Sequence, residues 1–435
     1  MRKEEKGITL VALIITIVVM LILVAVSINI LVNSNLIGHA EKTGDAYSGA
    51  IKNEEKLGND GITINDKEYA SIDDYIESRK PLPEGAGKKF TETKKYTDGT
   101  KTAVIPGGFT VSGIRNETRI DDGLVIYLIP DDEIENVKWD GTEKTKYDQF
   151  VWIPVTDANK MFMCQAKTES DSGCDLKIEG NEVICQTHKT ADATKSKKMA
   201  GRLYATDIGE NFNSSLTTQT YNANSGLREP AIVTGKADGT GTEFDGSNTD
   251  NNIGLTLATL QEEYNNAVKK VIESKGFWIG RYETSGMSSS NDDIAVNIVA
   301  GKVIEDGTSN VNWYRMYKQQ QNYVSKKGLD TLTTQSTMIF GAAWDQTMIF
   351  ANCANERTTN QVSFITGNVE TDCYKNIYGL SGNLNNWTTE AFSDYIRVDR
   401  GGVVDVGHSA SYRNAYVRMY SRNSIPNEGF FYRRF

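Results

Sequence analysis

Cysteine and histidine offer the widest range of chemistry in this chain, and both are scarce. The 435 residues include five cysteines, at Cys164, Cys174, Cys185, Cys353 and Cys373. None belongs to a Cys-x-x-Cys pair, so the spacing is weak support for a zinc or thioredoxin-type site. In an oxidising compartment Cys353 can pair with Cys373, and two of the first three cysteines with each other. Burial as small apolar side chains explains the cysteines equally well.

The three histidines add no ligand set. His408 lies far along the chain from His39 and His188. We therefore predict no metal site and no catalytic histidine.

The C-terminal segment, residues 401–435, has the composition of a recognition surface. Its five arginines and four tyrosines are interspersed with Ser and Asn, and its only acidic residues are Asp405 and Glu428. Tyrosine provides a large contact area with few rotatable bonds, and Ser, Gly and Asn provide adaptable hydrogen bonding. The alternative is an ordinary closing hairpin whose tyrosines pack locally.

We predict that ligand-contacting residues lie in the first two thirds of that segment. They are Val403, Val404, Asp405, Val406, His408, Ser409, Tyr412, Asn414, Tyr416, Arg418, Tyr420, Arg422 and Asn423.

The elements that must position these residues are short strands, two helices and long glycine-rich loops. Apolar residues at helical spacing predict a helix over 255–274, and a second helix is predicted over 341–352 with Trp344, Met348 and Ile349 inward. Without regular strand–helix alternation, the order favours an α+β domain over residues 88–435. A polar segment of about 160–252 is predicted to be a long surface excursion outside the core.

The N-terminal 87 residues predict an anchor and a spacer. Residues 8–32 form an uncharged apolar run, long enough to cross a bilayer as one helix, and 33–87 follow as a helical stalk and linker. The basic leader, residues 1–7, places the N-terminus in the cytoplasm. We thus expect a single-pass protein of the cell membrane with an extracellular C-terminal domain; a cleaved signal peptide is the alternative.

The leader also resembles the processing site of type IV prepilins. The run Lys6-Gly7-Ile8-Thr9-Leu10 implies cleavage between Gly7 and Ile8 by a prepilin peptidase. The family has a glutamate at the fifth mature position, where this chain has Ala12. That departure counts against assembly into a filament.

Six motifs in order resemble the formylglycine-generating-enzyme type of C-type lectin fold. They are Ile105-Pro106-Gly107-Gly108-Phe109, Phe277 to Glu283, Ala343-Trp344-Asp345, Asn376 to Thr388, Arg400-Gly401-Gly402 and Gly429-Phe430. In the family a reactive cysteine pair follows the Arg-Gly-Gly turn and binds copper. Here no cysteine follows Cys373. A serine does not replace a soft sulfur ligand, so oxidase activity is not expected.

The resemblance also implies a calcium-binding loop at Gly379–Asn386. In this chain Gly379 and Asn386 occupy the positions of two family ligands, an acidic or amide residue and a glutamate. Because carboxylates add calcium affinity, the site is predicted to be weakened, and no cofactor is expected.

The C-terminal pattern resembles the variable proteins of diversity-generating retroelements, which use the same lectin-type fold. In that family the last few dozen residues are rewritten at adenine-containing codons, and the residue types at 403–423 are compatible with such rewriting.

The sequence therefore predicts a surface-anchored, non-enzymatic receptor or adhesin with a hypervariable binding face. Its partners would be the membrane, a prepilin peptidase and an extracellular protein or glycan. A formal net charge of −10 argues against nucleic acid as a partner. The alternatives are a minor pilin or pseudopilin and, least favoured, a formylglycine-generating oxidase.

Overall fold

The computed structural model forms two compact units, residues 1–81 and 82–435. The described residues are 15–24, 62–64, 67–167, 173–190, 192–203, 229–231, 253–288, 291–302, 313–356, 366–367, 370–383, 385–393, 396–402, 409–411 and 413–416.

The described residues of the first unit form two helices and a hairpin. These are α1 (residues 15–24), β1 (Ile62–Ile64), β2 (Lys67–Tyr69) and α2 (Ile72–Arg79). Strands β1 and β2 are antiparallel, with Ile62 opposite Tyr69.

The predicted membrane-spanning helix over 8–32 is wrong. Within the described residues, no helix combines the length and the apolar character needed to cross a membrane. Of the predicted span, the structure describes residues 15–24, which are helical. The single-pass membrane localisation, with its extracellular C-terminal domain, depended on that helix and is corrected with it.

The second unit mixes short strands with five helices among its described residues. Its strands are β3 (Lys94–Thr97), β4 (Thr102–Ile105), β5 (Thr110–Val111), β6 (Val125–Leu128), β7 (Asp148–Pro154), β8 (Phe162–Cys164), β9 (Leu176–Glu179), β10 (Glu182–Cys185), β11 (Met199–Gly201), β12 (Gly276–Gly280), β13 (Cys373–Tyr374), β14 (Ile377–Tyr378), β15 (Asn386–Ser393), β16 (Ile396–Arg400) and β17 (Arg413–Tyr416). Its helices are α3 (Ala158–Met161), α4 (Leu257–Ser274), α5 (Trp313–Gln321), α6 (Tyr323–Lys326) and α7 (Gly341–Ala351). Because helices and antiparallel strands do not alternate regularly, the structure is compatible with the predicted α+β class.

A four-stranded antiparallel sheet in the order β12–β7–β6–β5 forms the centre of this unit. Strand β7 is buried along almost its whole length, and Trp152 opposes Trp278 across the β7–β12 pair. A second antiparallel sheet, β15–β16–β17, carries the start of the C-terminal segment.

Helix α4 confirms the strongest helix prediction. The Thr256 hydroxyl caps its N-terminus by accepting from the Thr259 N–H, and Lys275 ends it at φ 59°. Leu260, Tyr264 and Val268 form the buried stripe expected from their spacing.

Helix α7 confirms the second prediction in all but one side chain. Trp344 and Met348 are fully buried, whereas Ile349 is 41% exposed. Helix α7 has three consecutive polar residues, Asp345, Gln346 and Thr347, and two of them are buried, so its sequence could not show which face is covered.

The predicted surface excursion at 160–252 is wrong for its first part. Phe162, Met199 and Leu203 belong to the hydrophobic core, and β8 pairs with β11 in an antiparallel ladder. Polar residues lie between these short strands, so the average composition of the segment did not indicate that the strands are buried.

Candidate functional site at the base of the C-terminal segment

A buried charge cluster lies where the C-terminal segment leaves strand β16. The Arg400 guanidinium donates to both carboxylate oxygens of Glu390, at 3.1 and 3.3 Å, and pairs with Asp345. All three side chains are at most 1% exposed. Arg400 lies on β16, Glu390 on β15 and Asp345 on α7. The cluster therefore connects two of the three strands of the second sheet to the helix. Such a cluster keeps the strands and the helix in fixed positions, because removing one of its side chains would leave a buried charge without a partner and destabilise the fold.

A third carboxylate, Glu229, joins this region at the N-terminus of α7. It accepts hydrogen bonds from the Gly341 N–H at 2.7 Å and the Ala342 N–H at 3.1 Å. Helix N-termini present unpaired N–H groups that favour an anion. Burial, and then repulsion from Glu390, nevertheless raise the pKa of Glu229 to about 7.

Backbone groups rather than side chains hold the two sides of residues 403–408. On the far side, the Trp344 indole N–H donates to the Ala410 carbonyl at 3.0 Å. The Ala410 N–H donates to the Glu356 carbonyl at 3.0 Å, and the Ser411 N–H donates to the Ala354 carbonyl at 3.0 Å. The main-chain groups of Ala410 and Ser411 therefore fix this part of the segment to the Trp344 indole of α7 and to Ala354 and Glu356, which follow the helix.

On the near side, Gly401 requires its glycine. Its φ is 95°, and an added Cβ would lie 3.1 Å from both the Leu380 carbonyl oxygen and the Trp344 ring. The Gly402 N–H then donates to the same Leu380 carbonyl at 3.3 Å. The three residues of the Arg-Gly-Gly motif therefore have distinct roles. Arg400 is a buried cation, Gly401 has a positive φ, and the Gly402 N–H donates to the Leu380 backbone.

The structure describes three of the predicted ligand-contacting residues. Ser409 is 4% exposed, and its hydroxyl lies 3.0 Å from that of Ser411. Asn414 and Tyr416 lie on β17, which pairs with β16 so that Asn414 opposes Asp399 and Tyr416 opposes Arg397. The other predicted contacts lie outside the described residues, namely Val403, Val404, Asp405, Val406, His408, Tyr412, Arg418, Tyr420, Arg422 and Asn423. The predicted processing residues Gly7 and Ile8 also lie outside them.

The loop that the family resemblance assigns to calcium lies beside two carboxylates from outside the loop. The Asn383 amide donates to Glu283 at 3.0 Å, and the Asn385 amide donates to Asp399 at 3.0 Å. The amide oxygens of both asparagines are buried and accept no hydrogen bond from any described part of the chain. Amide and carboxylate oxygens are the ligand types that Ca²⁺ prefers, and each of the two asparagines provides one amide oxygen beside one carboxylate.

A cavity of about 390 Å³ forms a separate candidate pocket. Its lining is mostly apolar and includes Phe277, Trp278 and Leu329, with Lys270 and Glu273 among its charged residues. None of the three predicted ligand-contacting residues that the structure describes, Ser409, Asn414 and Tyr416, lines it.

Sequence reasoning missed one cluster altogether. Cys164, Cys174, Cys185 and His188 are all buried, and their sulfur and nitrogen atoms lie within 4.8 Å of one another. The only local signal is Cys185-x-x-His188, a spacing that a search restricted to Cys-x-x-Cys pairs overlooks. No disulfide joins the five described cysteines.

No protein-family model matches this chain, and neither a curated protein nor a solved structure is significantly similar to it. The resemblances to lectin-type, variable and prepilin proteins therefore stay predictions.

Proposed function

We propose that this chain is a non-enzymatic binding protein whose ligand-contacting residues lie within 401–427. The observation that carries the proposal is the backbone attachment on either side of residues 403–408. Gly402 is held to Leu380, and Ala410 and Ser411 are held to Glu356 and Ala354 in the segment after α7, all through main-chain groups. A surface built in this way keeps its position while its side chains change, as a recognition loop on a rigid scaffold requires.

The composition of the segment supports the same proposal. Residues 401–435 include five arginines and four tyrosines, and both residue types are enriched among those that contribute most to binding energy. Strand β17, with Asn414 and Tyr416, extends the rigid base by pairing with β16. The expected ligand is a protein or a glycan.

An oxidase of the formylglycine-generating type is disfavoured by the position of the cysteines. Three of them surround His188, Cys353 is fully buried, and Cys373 lies on β13. No cysteine follows Arg400, where the family pair would lie. A thiolate is the nucleophile and metal ligand in that chemistry, and the region beside Gly401 has none.

Sequencing the 3′ end of this gene across sibling isolates tests whether the surface is diversified. Differences confined to the codons of residues 403–427, at adenines of a nearby imperfect copy, are expected. An invariant 3′ end without a copy would contradict diversification and leave a binding surface of fixed specificity.

Binding itself is tested by replacing Tyr412, Tyr416 and Tyr420 together with Ala. The full chain is labelled and applied to a glycan array and, separately, to a displayed peptide library. We expect the variant to lose at least tenfold in every signal that the wild type gives, because each aromatic anchor contributes about 1 kcal/mol or more. Its melting temperature should stay unchanged, since the base is held by backbone groups and buried charges. A matched Tyr75→Ala variant, in the first unit, should bind normally; equal binding by the triple variant would refute the assignment of this face.

A further inference from the structure

The cysteine–histidine cluster is assembled by the ends of three strands in the 162–188 region. Cys164 is the last residue of β8, and Cys185 is the last residue of β10. Cys174 lies just before β9, and His188 lies three residues after β10. The β9–β10 hairpin therefore places Cys174, Cys185 and His188 next to Cys164, which lies at the end of the β8–β11 ladder.

The distances within the cluster match those of ligands around one tetrahedral ion. The His188 Nδ1 atom lies 3.3 Å from the sulfur of Cys164, 3.8 Å from that of Cys174 and 3.1 Å from that of Cys185. The Cys164 and Cys174 sulfurs are 3.9 Å apart. With Zn–S bonds of about 2.3 Å and Zn–N bonds of about 2.0 Å, a tetrahedron places sulfurs about 3.8 Å apart and sulfur and nitrogen about 3.5 Å apart.

The surroundings fit thiolate ligands. The four residues are between 0 and 7% exposed. The Cys164 N–H donates to the Cys174 sulfur at 3.4 Å, and the His188 backbone donates to the Cys185 sulfur. Hydrogen bonds of this kind orient metal ligands and stabilise the negative charge on sulfur. A sulfur separation of 3.9 Å is almost twice the roughly 2.05 Å of a disulfide bond.

We propose that Cys164, Cys174, Cys185 and His188 bind one Zn²⁺ ion as a structural site. Three soft thiolates and one imidazole select Zn²⁺ over Ca²⁺ or Mg²⁺, which prefer oxygen ligands. Four protein ligands fill a tetrahedral ion completely, so no position is left for water or substrate, and the site is structural rather than catalytic.

The ion would fix a part of the unit that has little regular structure of its own. It joins the β8–β11 ladder to the β9–β10 hairpin, each only three or four residues long. Helix α4 then packs on the assembled strands, because the Gln261 amide donates to the Met199 carbonyl and the Met199 N–H donates to Asn265, both at 2.9 Å. Short ladders of this kind need such a crosslink to stay ordered.

Elemental analysis of the full chain, purified without chelator from zinc-supplemented medium, tests the proposal. The wild type should contain about one Zn²⁺ per chain, as a closed four-ligand site requires. Cys185→Ser and His188→Ala should retain at least tenfold less, as expected when a ligand is removed. The matched control is Cys353→Ala, which removes an equally buried thiol outside the cluster and should keep the wild-type zinc content.

Cobalt substitution tests the ligand set in the wild type, without relying on the folding of a variant. Removal of zinc followed by Co²⁺ addition should give the absorption bands of a tetrahedral cobalt–thiolate centre. Three outcomes would overturn the proposal: wild-type protein with negligible zinc and no such bands, zinc content unchanged in both ligand variants, or a mass lower by two hydrogens from a disulfide among Cys164, Cys174 and Cys185. Bound iron in place of zinc would overturn the choice of metal.

Discussion

Two buried polar clusters hold the second unit together, and they are built in opposite ways. The Arg400 cluster joins Asp345 on α7 to Glu390 and Arg400 in the second sheet, and it pairs one buried cation with two carboxylates of the chain itself. The cluster around His188 joins residues within a single short stretch, and its like-charged thiolates need a cation to stay together. The first therefore depends on the whole unit being folded, whereas the second depends on a metal and organises only its own surroundings.

This difference predicts that damage to the first cluster is global and damage to the second is local. The base of the C-terminal segment belongs to the global cluster, because Arg400 directly precedes Gly401. The proposed binding surface thus begins directly after a residue whose replacement is expected to cost several kcal/mol of stability, about 3–5 kcal/mol for a broken buried ion pair.

The largest loss in the free energy of unfolding is expected from Arg400→Leu. It leaves the carboxylates of Glu390 and Asp345 buried without their cation, which costs about 3–5 kcal/mol. Urea unfolding followed by circular dichroism measures the loss. The control Arg119→Leu removes an exposed pair with Asp122, worth about 0–1 kcal/mol. If both variants lost equally little, the Arg400 cluster would not be what holds the base.

A somewhat smaller change in the free energy of unfolding is expected when a change in pH titrates Glu229. Its pKa is about 7 in the folded chain and 4.5 in the unfolded chain, so the folded state holds the proton more tightly. The resulting stabilisation is complete below about pH 4.5 and is lost as the pH rises through about 7, by roughly 3 kcal/mol in total. Urea unfolding between pH 5 and 8, compared with Glu229→Gln, measures this contribution. The variant should lack the corresponding slope, and a slope equal to that of the wild type would contradict the assignment.

The same pH range distinguishes the two clusters, because lower pH should stabilise the region around Glu229 and weaken zinc binding at the cluster around His188. Falling pH protonates Glu229 and stabilises the base, but it also protonates thiolates and weakens zinc binding. A chelator should therefore remove zinc faster at pH 5 than at pH 8, while the base gains stability.

Zinc removal at constant pH should then produce a local effect. We expect backbone amides of residues 173–190 and 192–201 to exchange with deuterium at least tenfold faster after chelation, since their order depends on the ion. Amides of β15 and β16 should exchange as before. Cys353→Ala, treated in the same way, serves as the control, and equal acceleration throughout the second unit would show that the cluster is not a local organiser.

The smallest effect is expected from calcium at the Gly379–Asn386 loop. Millimolar Ca²⁺ should raise the melting temperature by about 2 °C, because a ligand that binds only the folded state stabilises it. Glu283→Gln should abolish the shift by removing a carboxylate beside Asn383. Mg²⁺ at the same concentration is the control, since it demands stricter octahedral geometry. An unshifted wild type would show that the loop is a structural turn.

The sequence was informative where a residue's role is determined locally. The stripe of Leu260, Tyr264 and Val268 predicted α4 correctly, and the sequence motifs that contain Trp344 and Arg400 meet in one buried cluster. Contacts between distant segments were not predictable. Nothing in the spacing of Cys164 and Cys174 shows that a hairpin returns His188 to them, and no local rule places Glu283 beside Asn383. The apolar run at 8–32 misled as well, because composition indicates how apolar a segment is but does not establish a membrane-spanning helix.

The main-chain hydrogen bonds at Ala410 and Ser411 have a consequence for protein engineering. Their donors and acceptors are peptide groups, so a combinatorial library at residues 403–408 leaves every one of them intact. Gly401 and Trp344 should be kept constant, since one admits no Cβ and the other supplies the indole N–H. The chain thus offers a ready-made display scaffold in which the randomised positions and the positions that determine folding are different residues.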